Sequence, residues 1–139
     1  MSKVEFLVAT TALIFSLNLP ASGQPNAPLL TGNFEGTGRA CYGTLEIKTK
    51  KLSWQTPFSR CKLQEYQVIN RQENGKDLRI AYKLSKPSKS CLYSVIELHR
   101  FAPDSPPPEY LWDAAGYKSI KDYESHSEDR LNCTLVVID

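Results

Sequence analysis

The sequence predicts an all-β domain: a small antiparallel meander of about eight strands, closed or nearly closed into a barrel and stapled by disulfides, with a β-sandwich as the alternative. Three observations lead there. From residue 33 onward the apolar residues alternate with polar ones instead of recurring at a helical period. The alternating runs are short and separated by turn chemistry such as Asn74-Gly75 and the prolines 106–108. Four cysteines are spread over the same region, with no close pair among them.

The chain opens on Phe6–Leu17, FLVATTALIFSL, an uncharged and mostly apolar run preceded by Lys3 and Glu5. A membrane-spanning helix needs about 20 such residues. The run suits the apolar segment of a secretory leader, and Ala21-Ser22-Gly23 supplies a small-x-small site for cleavage after Gly23. The expected organisation is a leader over 1–23, a flexible segment over 24–32 and one barrel-like domain over 33–139. The expected location is secreted or periplasmic, and the remaining chain contains no second long apolar run.

The first strand signal is weak, Gly32-Asn33-Phe34-Glu35-Gly36, with glycines that suit tight curvature. Leu45 and Ile47, then Leu52 and Trp54, alternate with polar residues on either side of Lys48-Thr49-Lys50-Lys51 and read as a hairpin. Tyr66 and Val68 form the next run; Leu78, Ile80, Tyr82 and Leu84 form the one after it. Between these two lies Gln72-Glu73-Asn74-Gly75-Lys76. A type I turn on Glu73-Asn74, with Gly75 left-handed in a bulge, sets Val68 opposite Ile80 and Tyr66 opposite Tyr82. That register makes the apolar faces coincide. Cys91–Phe101 is rich in β-branched and aromatic residues, Tyr110–Tyr117 reads as a further strand, and Leu131, Cys133, Leu135 and Val137 close the chain. Ser119–Arg130 is a polar connection with room for a helical turn.

Structural zinc sites usually draw on a tight pair such as C-x2-C, as do dithiol redox sites, and the chain has neither. A leader plus four cysteines reads as two disulfides. Closure entropy does not choose between pairing 41–133 with 61–91 and pairing 41–61 with 91–133, since the totals differ by about 1 kcal/mol. Topology leans to the first. In an up-and-down meander Cys41, Cys61, Cys91 and Cys133 fall near links that share one rim. Closure makes the first and last strands neighbours, so 41–133 would stitch the seam.

The formal net charge of +2 argues against a nucleic-acid surface. The lysine clusters at 48–51 and 83–89 read as solvated turns. The two histidines lie apart: His99 on a strand beside Glu97, and His126 in a loop with Glu124, Glu128 and Asp129. Neither makes a metal site by spacing, and Asp113 beside Trp112 reads as an outward strand position. No nucleophile elbow or phosphate loop is present. The expectation is therefore no cofactor, no metal, no catalytic residue and no enzyme. Trp54, Tyr66, Tyr82 and Trp112 are candidates to line a ligand cavity at the barrel mouth, or else to fill the barrel. Pro103, Pro106, Pro107, Pro108 and Tyr110 form a stiff candidate partner loop.

No motif names a family. The general build, a leader followed by a disulfide-tied meander over Asn33–Ile138, resembles in architecture the lipocalins, avidins and bacterial lysozyme inhibitors. The lipocalin Gly-x-Trp opening is replaced by Gly32-Asn33-Phe34, and the inhibitors' serine- and glycine-rich loop has no counterpart. No functional residues carry over. The leading expectation is an exported, monomeric, non-enzymatic binding or interaction module for a small ligand or a protein; the alternative is an inhibitor of an extracytoplasmic hydrolase. An internal cavity would favour the small ligand, and a filled barrel with a rigid projecting loop would favour a protein.

Overall fold

Eight strands join in sequence order into a closed antiparallel barrel: β1 Gly32–Gly36, β2 Gly43–Ile47, β3 Lys51–Gln55, β4 Arg60–Asn74, β5 Asp77–Leu84, β6 Val95–Arg100, β7 Leu111–Tyr117 and β8 Leu131–Ile138. The computed structural model describes residues 30–75, 77–100 and 111–138. The segment read as a leader lies outside the described residues. Closure runs through β1 and β8, where Phe34 faces Val137 and Gly36 faces Leu135. A closed barrel leaves no strand edge with unpaired backbone groups.

Alternation puts one face of each strand inside. Phe34, Leu45, Leu52, Trp54, Ile80, Tyr82, Ile96, Leu98 and Leu135 are buried there, against one another. Phe34 meets Trp112 edge-on at 5.3 Å between ring centroids. Trp54 lies tilted against Tyr93 at 5.4 Å. The β2–β3 hairpin has the register the apolar residues demand, Leu45 opposite Trp54 and Ile47 opposite Leu52.

Both disulfides of the seam arrangement are present, Cys41–Cys133 and Cys61–Cys91. Their Cα separations of 5.5 and 4.4 Å lie within the span a disulfide bridges. The first ties the link after β1 to β8, and the second ties the start of β4 to the link before β6.

The β4–β5 register differs from the expected one. Val68 faces Tyr82, Tyr66 faces Leu84 and Arg71 faces Ile80. The expectation assumed unbroken alternation from Tyr66 to the turn, whereas the register shifts between Val68 and Asn70. The turn also falls later: Asn74 pairs with Asp77, so Gly75 is the first of the two residues between them. Tyr66 and Tyr82 still touch, edge-on at 4.8 Å, as diagonal neighbours. Gly75 is left-handed, with φ of 62°. Gly75→Val is expected to lose about 1–2 kcal/mol in urea unfolding, from backbone strain alone, because open space surrounds the Cβ position.

The run read as one strand from Cys91 begins later, at Val95. Cys91 is held in a turn by its N–H donating to Ser88 O (3.0 Å) and by the disulfide, so the ladder starts only after it. Phe101 lies outside the described residues. The polar connection does contain a single helical turn, α1 Ile120–Glu124, whose N-cap Ser119 accepts from the N–H of Asp122.

Candidate functional site

Concave surface of mixed charge lies on the outer wall of β5–β8. Registry builds it in two rows. Arg79, His99, Asp113 and Thr134 stand side by side across the four strands, and Ala81, Glu97, Ala115 and Asn132 form the next row. All project outward, because their sequence neighbours Ile80, Leu98, Ala114 and Cys133 fill the barrel. The small Ala115 leaves a hollow between longer neighbours. The link after α1 supplies His126 and Arg130 as the remaining wall of a groove of about 640 Å³.

Hydrogen bonding fixes much of this surface. Glu97, only 8% exposed, accepts from Arg79 Nη1 at 3.1 Å. Arg79 Nη2 lies 3.3 Å from His99 Nδ1, and His99 Nε2 lies 2.9 Å from Asp77 Oδ1. A guanidinium can only donate, so Nδ1 accepts; Nε2 then carries the proton and donates to Asp77. His99 is thereby held in one tautomer by its neighbours on β5. Arg130 donates to the Tyr117 hydroxyl (3.3 Å) and to Asn132 Oδ1 (3.0 Å), and its guanidinium lies over the Tyr117 ring. His126 adopts a positive φ of 51°. Thr134 donates to Asp113 at the long distance of 3.5 Å.

Below the groove, Ala81, Val95 and Tyr117 form a small second core on the outside of the barrel, covered by Ile69 and by Tyr123 of α1. Tyr117 and Tyr123 meet edge-on at 5.3 Å. Burial pushes the Tyr117 phenol up; nearby Glu97 adds to this and Arg130 opposes it. Burial also raises Tyr66, Tyr82 and Tyr93. A tyrosine whose folded pKa is raised keeps its proton longer when folded than when unfolded. Its contribution is complete below about pH 10 and is lost as pH rises through the folded value. Stability should therefore hold to about pH 10 and then fall, with the phenolate absorbance of Tyr66, Tyr82, Tyr93 and Tyr117 at 295 nm appearing together with loss of the native circular dichroism. Phenolate absorbance of all seven tyrosines, complete in the still-native protein, would contradict this.

The aromatic residues singled out from the sequence are placed apart from this groove. Trp54, Tyr82 and Trp112 are buried in the barrel interior. Tyr66 is half-buried, and its hydroxyl lies 2.8 and 2.9 Å from the carbonyl oxygens of Lys48 and Thr49, which pins the β2–β3 turn. The candidate loop residues Pro103, Pro106, Pro107, Pro108 and Tyr110 lie outside the described residues. Among the described residues no three His, Cys, Asp or Glu side chains converge on one point. Glu97 and Asp113 share the groove, but the Glu97 carboxylate is already engaged by Arg79. Among the described residues no helix is long and apolar enough to cross a membrane.

Sequence reasoning did not assemble the row through Arg79, His99 and Asp113. Each occupies an outward position of an alternating run, which was legible, but their adjacency depends on the β5–β6 and β6–β7 registers across long links. No family model matches the chain, and neither a curated protein nor a solved structure matches it.

Proposed function

We propose that the protein is an exported, non-enzymatic binding module that meets its target on the outside of the barrel. The observation that supports this most is the filling of the interior. Trp54, Tyr82, Phe34 and their apolar neighbours occupy the space that a ligand-carrying barrel of about eight strands would leave open. Among the described residues, the polar groove over β5–β8 and the loops of the disulfide-bearing rim are what remain for recognition. Two disulfides are consistent with an oxidising, extracytoplasmic setting, and the leader reading agrees with it. Inhibition of an extracytoplasmic hydrolase is the version of this reading in which the target is an enzyme; the Cys61–Cys91 bond and the Leu92 N–H to Ser59 Oγ hydrogen bond (2.9 Å), which tie two rim loops together, favour it.

A probe of the interior tests the reading. Palmitate and anilinonaphthalene sulfonate are titrated into the native protein while the fluorescence of its two tryptophans, Trp54 and Trp112, is followed. No saturable change is expected with either probe. A one-to-one saturable quench would return binding to the barrel interior and overturn the proposal.

A further inference from the structure

The rim that carries Cys61–Cys91 presents exposed apolar side chains beside a basic groove. Thr56–Ser59 forms a tight turn: Thr56 N–H donates to Ser59 O (2.9 Å), and Ser59 N–H donates to Thr56 Oγ1 (3.1 Å). At its tip Phe58 is 73% exposed. Leu92, 46% exposed, stands on the neighbouring loop.

The two loops are locked together. Arg60 N–H donates to Ser90 O (2.8 Å), Ser90 Oγ donates to Arg60 O (3.1 Å) and Leu92 N–H donates to the buried Ser59 Oγ (2.9 Å). The Cys61–Cys91 disulfide closes the same junction. Tyr42, 69% exposed, precedes Gly43, whose backbone lies against Gln55 and Thr56.

A groove of about 510 Å³ runs beside Phe58 between these loops. Among the described residues its charged members are Arg60, Lys62 and Lys89, and none of its lining is a carboxylate. Among the described residues none of the three cations is ion-paired. A large apolar side chain held out in water by a rigid turn gains nothing for folding. It does match the anchor of a protein interface, whose ordering cost is met before binding.

We infer that this rim docks an acidic protein surface. Phe58 enters an apolar pocket of the partner, and partner carboxylates lie in the groove against Arg60, Lys62 and Lys89. A protein fits better than a lipid surface because the cations line a concavity: a partner's side chains can fill it, whereas a flat headgroup layer would bridge it. The inference rests on the outer-surface reading above and adds the place and the partner's chemistry.

The test uses the full chain in its producing cell, with Phe58→p-benzoylphenylalanine for photocrosslinking and, in a separate protein, Asp113→p-benzoylphenylalanine in the β5–β8 groove. A protein crosslinked at position 58 through a carboxylate-rich surface is the expected result. Once isolated, that partner should bind Phe58→Ala about 30-fold more weakly than the parent, with an unchanged melting transition for the variant. Lys62→Glu with Lys89→Glu should slow association and remove most of its salt dependence. Lipid crosslinks at 58, or a partner that binds Phe58→Ala as tightly as the parent, would overturn the inference. Protein crosslinks at 113 alone would leave the outer-surface reading standing and remove the rim from it. Crosslinks at neither position would remove both.

Discussion

Removing the seam disulfide should cost about 4.6 kcal/mol, more than removing the other disulfide of this domain. Cys41 and Cys133 are 92 residues apart in sequence, so their bond closes most of the barrel domain into one loop. In the chain-entropy account the loss on freeing such a loop grows with its length. Cys61–Cys91 closes a span of 30 and should be worth about 3.6 kcal/mol. The double variant Cys41→Ala with Cys133→Ala is preferable to serine, since both sites are buried and alanine leaves no hydroxyl without a partner.

Guanidinium unfolding compared with the parent reads the difference directly. A domain of this size has only about 5–15 kcal/mol in hand, so the variant should be near the edge of folding at 37 °C. The location adds a second effect. The bond spans the β1–β8 closure, and a seam that opens exposes two strand edges to other chains. Aggregation on warming should therefore rise more in this variant than in Cys61→Ala with Cys91→Ala. A loss below 1 kcal/mol would mean that strand pairing alone holds the seam.

Trp54→Ala is expected to lose about 3–5 kcal/mol. Trp54 is 1% exposed and sits on β3, opposite Cys61 of β4. Tyr93 packs on one side, and Gly116 of β7 comes close enough that a Cβ there would lie 3.0 Å from the indole. Deleting the ring leaves a hole that these stapled strands can close only in part. Among the described residues the indole Nε1 has no hydrogen-bond partner, so Trp54→Phe forfeits ring volume but no hydrogen bond. Phenylalanine should recover most of the loss, and urea unfolding of the two variants separates volume from polarity.

The experiment also bears on function. If Trp54→Ala lost less than 1 kcal/mol, the indole would border open space, and the reading in which Trp54, Tyr82 and Trp112 line a ligand cavity would regain its footing. A large loss agrees with a packed barrel whose recognition surfaces lie outside. The palmitate titration should then agree with it.

Several features were legible before any coordinates. Alternation over Leu45–Ile47, Leu52–Trp54 and Leu78–Leu84 fixes those strands and their inner faces, because a side-chain period of two leaves one way to bury the apolar set. The β2–β3 hairpin was legible as two alternating runs on either side of Lys48–Lys51, and the structure added its register. Topology only tilted the cysteine pairing toward 41–133 with 61–91, since alternate links of a meander share a rim and closure joins the ends; the structure decided it against 41–61 with 91–133. The β4–β5 register did not follow. A bulge between Val68 and Asn70 interrupts the alternation; the adjacent apolar pair Val68-Ile69 was its only mark in the sequence, and what Ile69 packs against, the outer cluster of Ala81, Val95 and Tyr117, is set by the assembled barrel. Phe58 was missed for a related reason. A phenylalanine between two strands reads equally well as buried or exposed until the path of the Thr56–Ser59 turn is known.

The amino-acid sequence by itself determined the β class, the inner face of most strands and which cysteines could meet, because these depend on local periodicity and on chain order. Tertiary structure alone decided that Phe34, Trp54, Tyr82 and Trp112 are buried together inside the barrel, that Arg79, His99 and Asp113 stand in one row, and that Phe58 points into solvent beside three cations that have no ion-pair partner among the described residues. Those facts depend on registers set across links and on volumes summed over eight strands. Close packing is a property of the whole assembled barrel, and no short stretch of the chain encodes it.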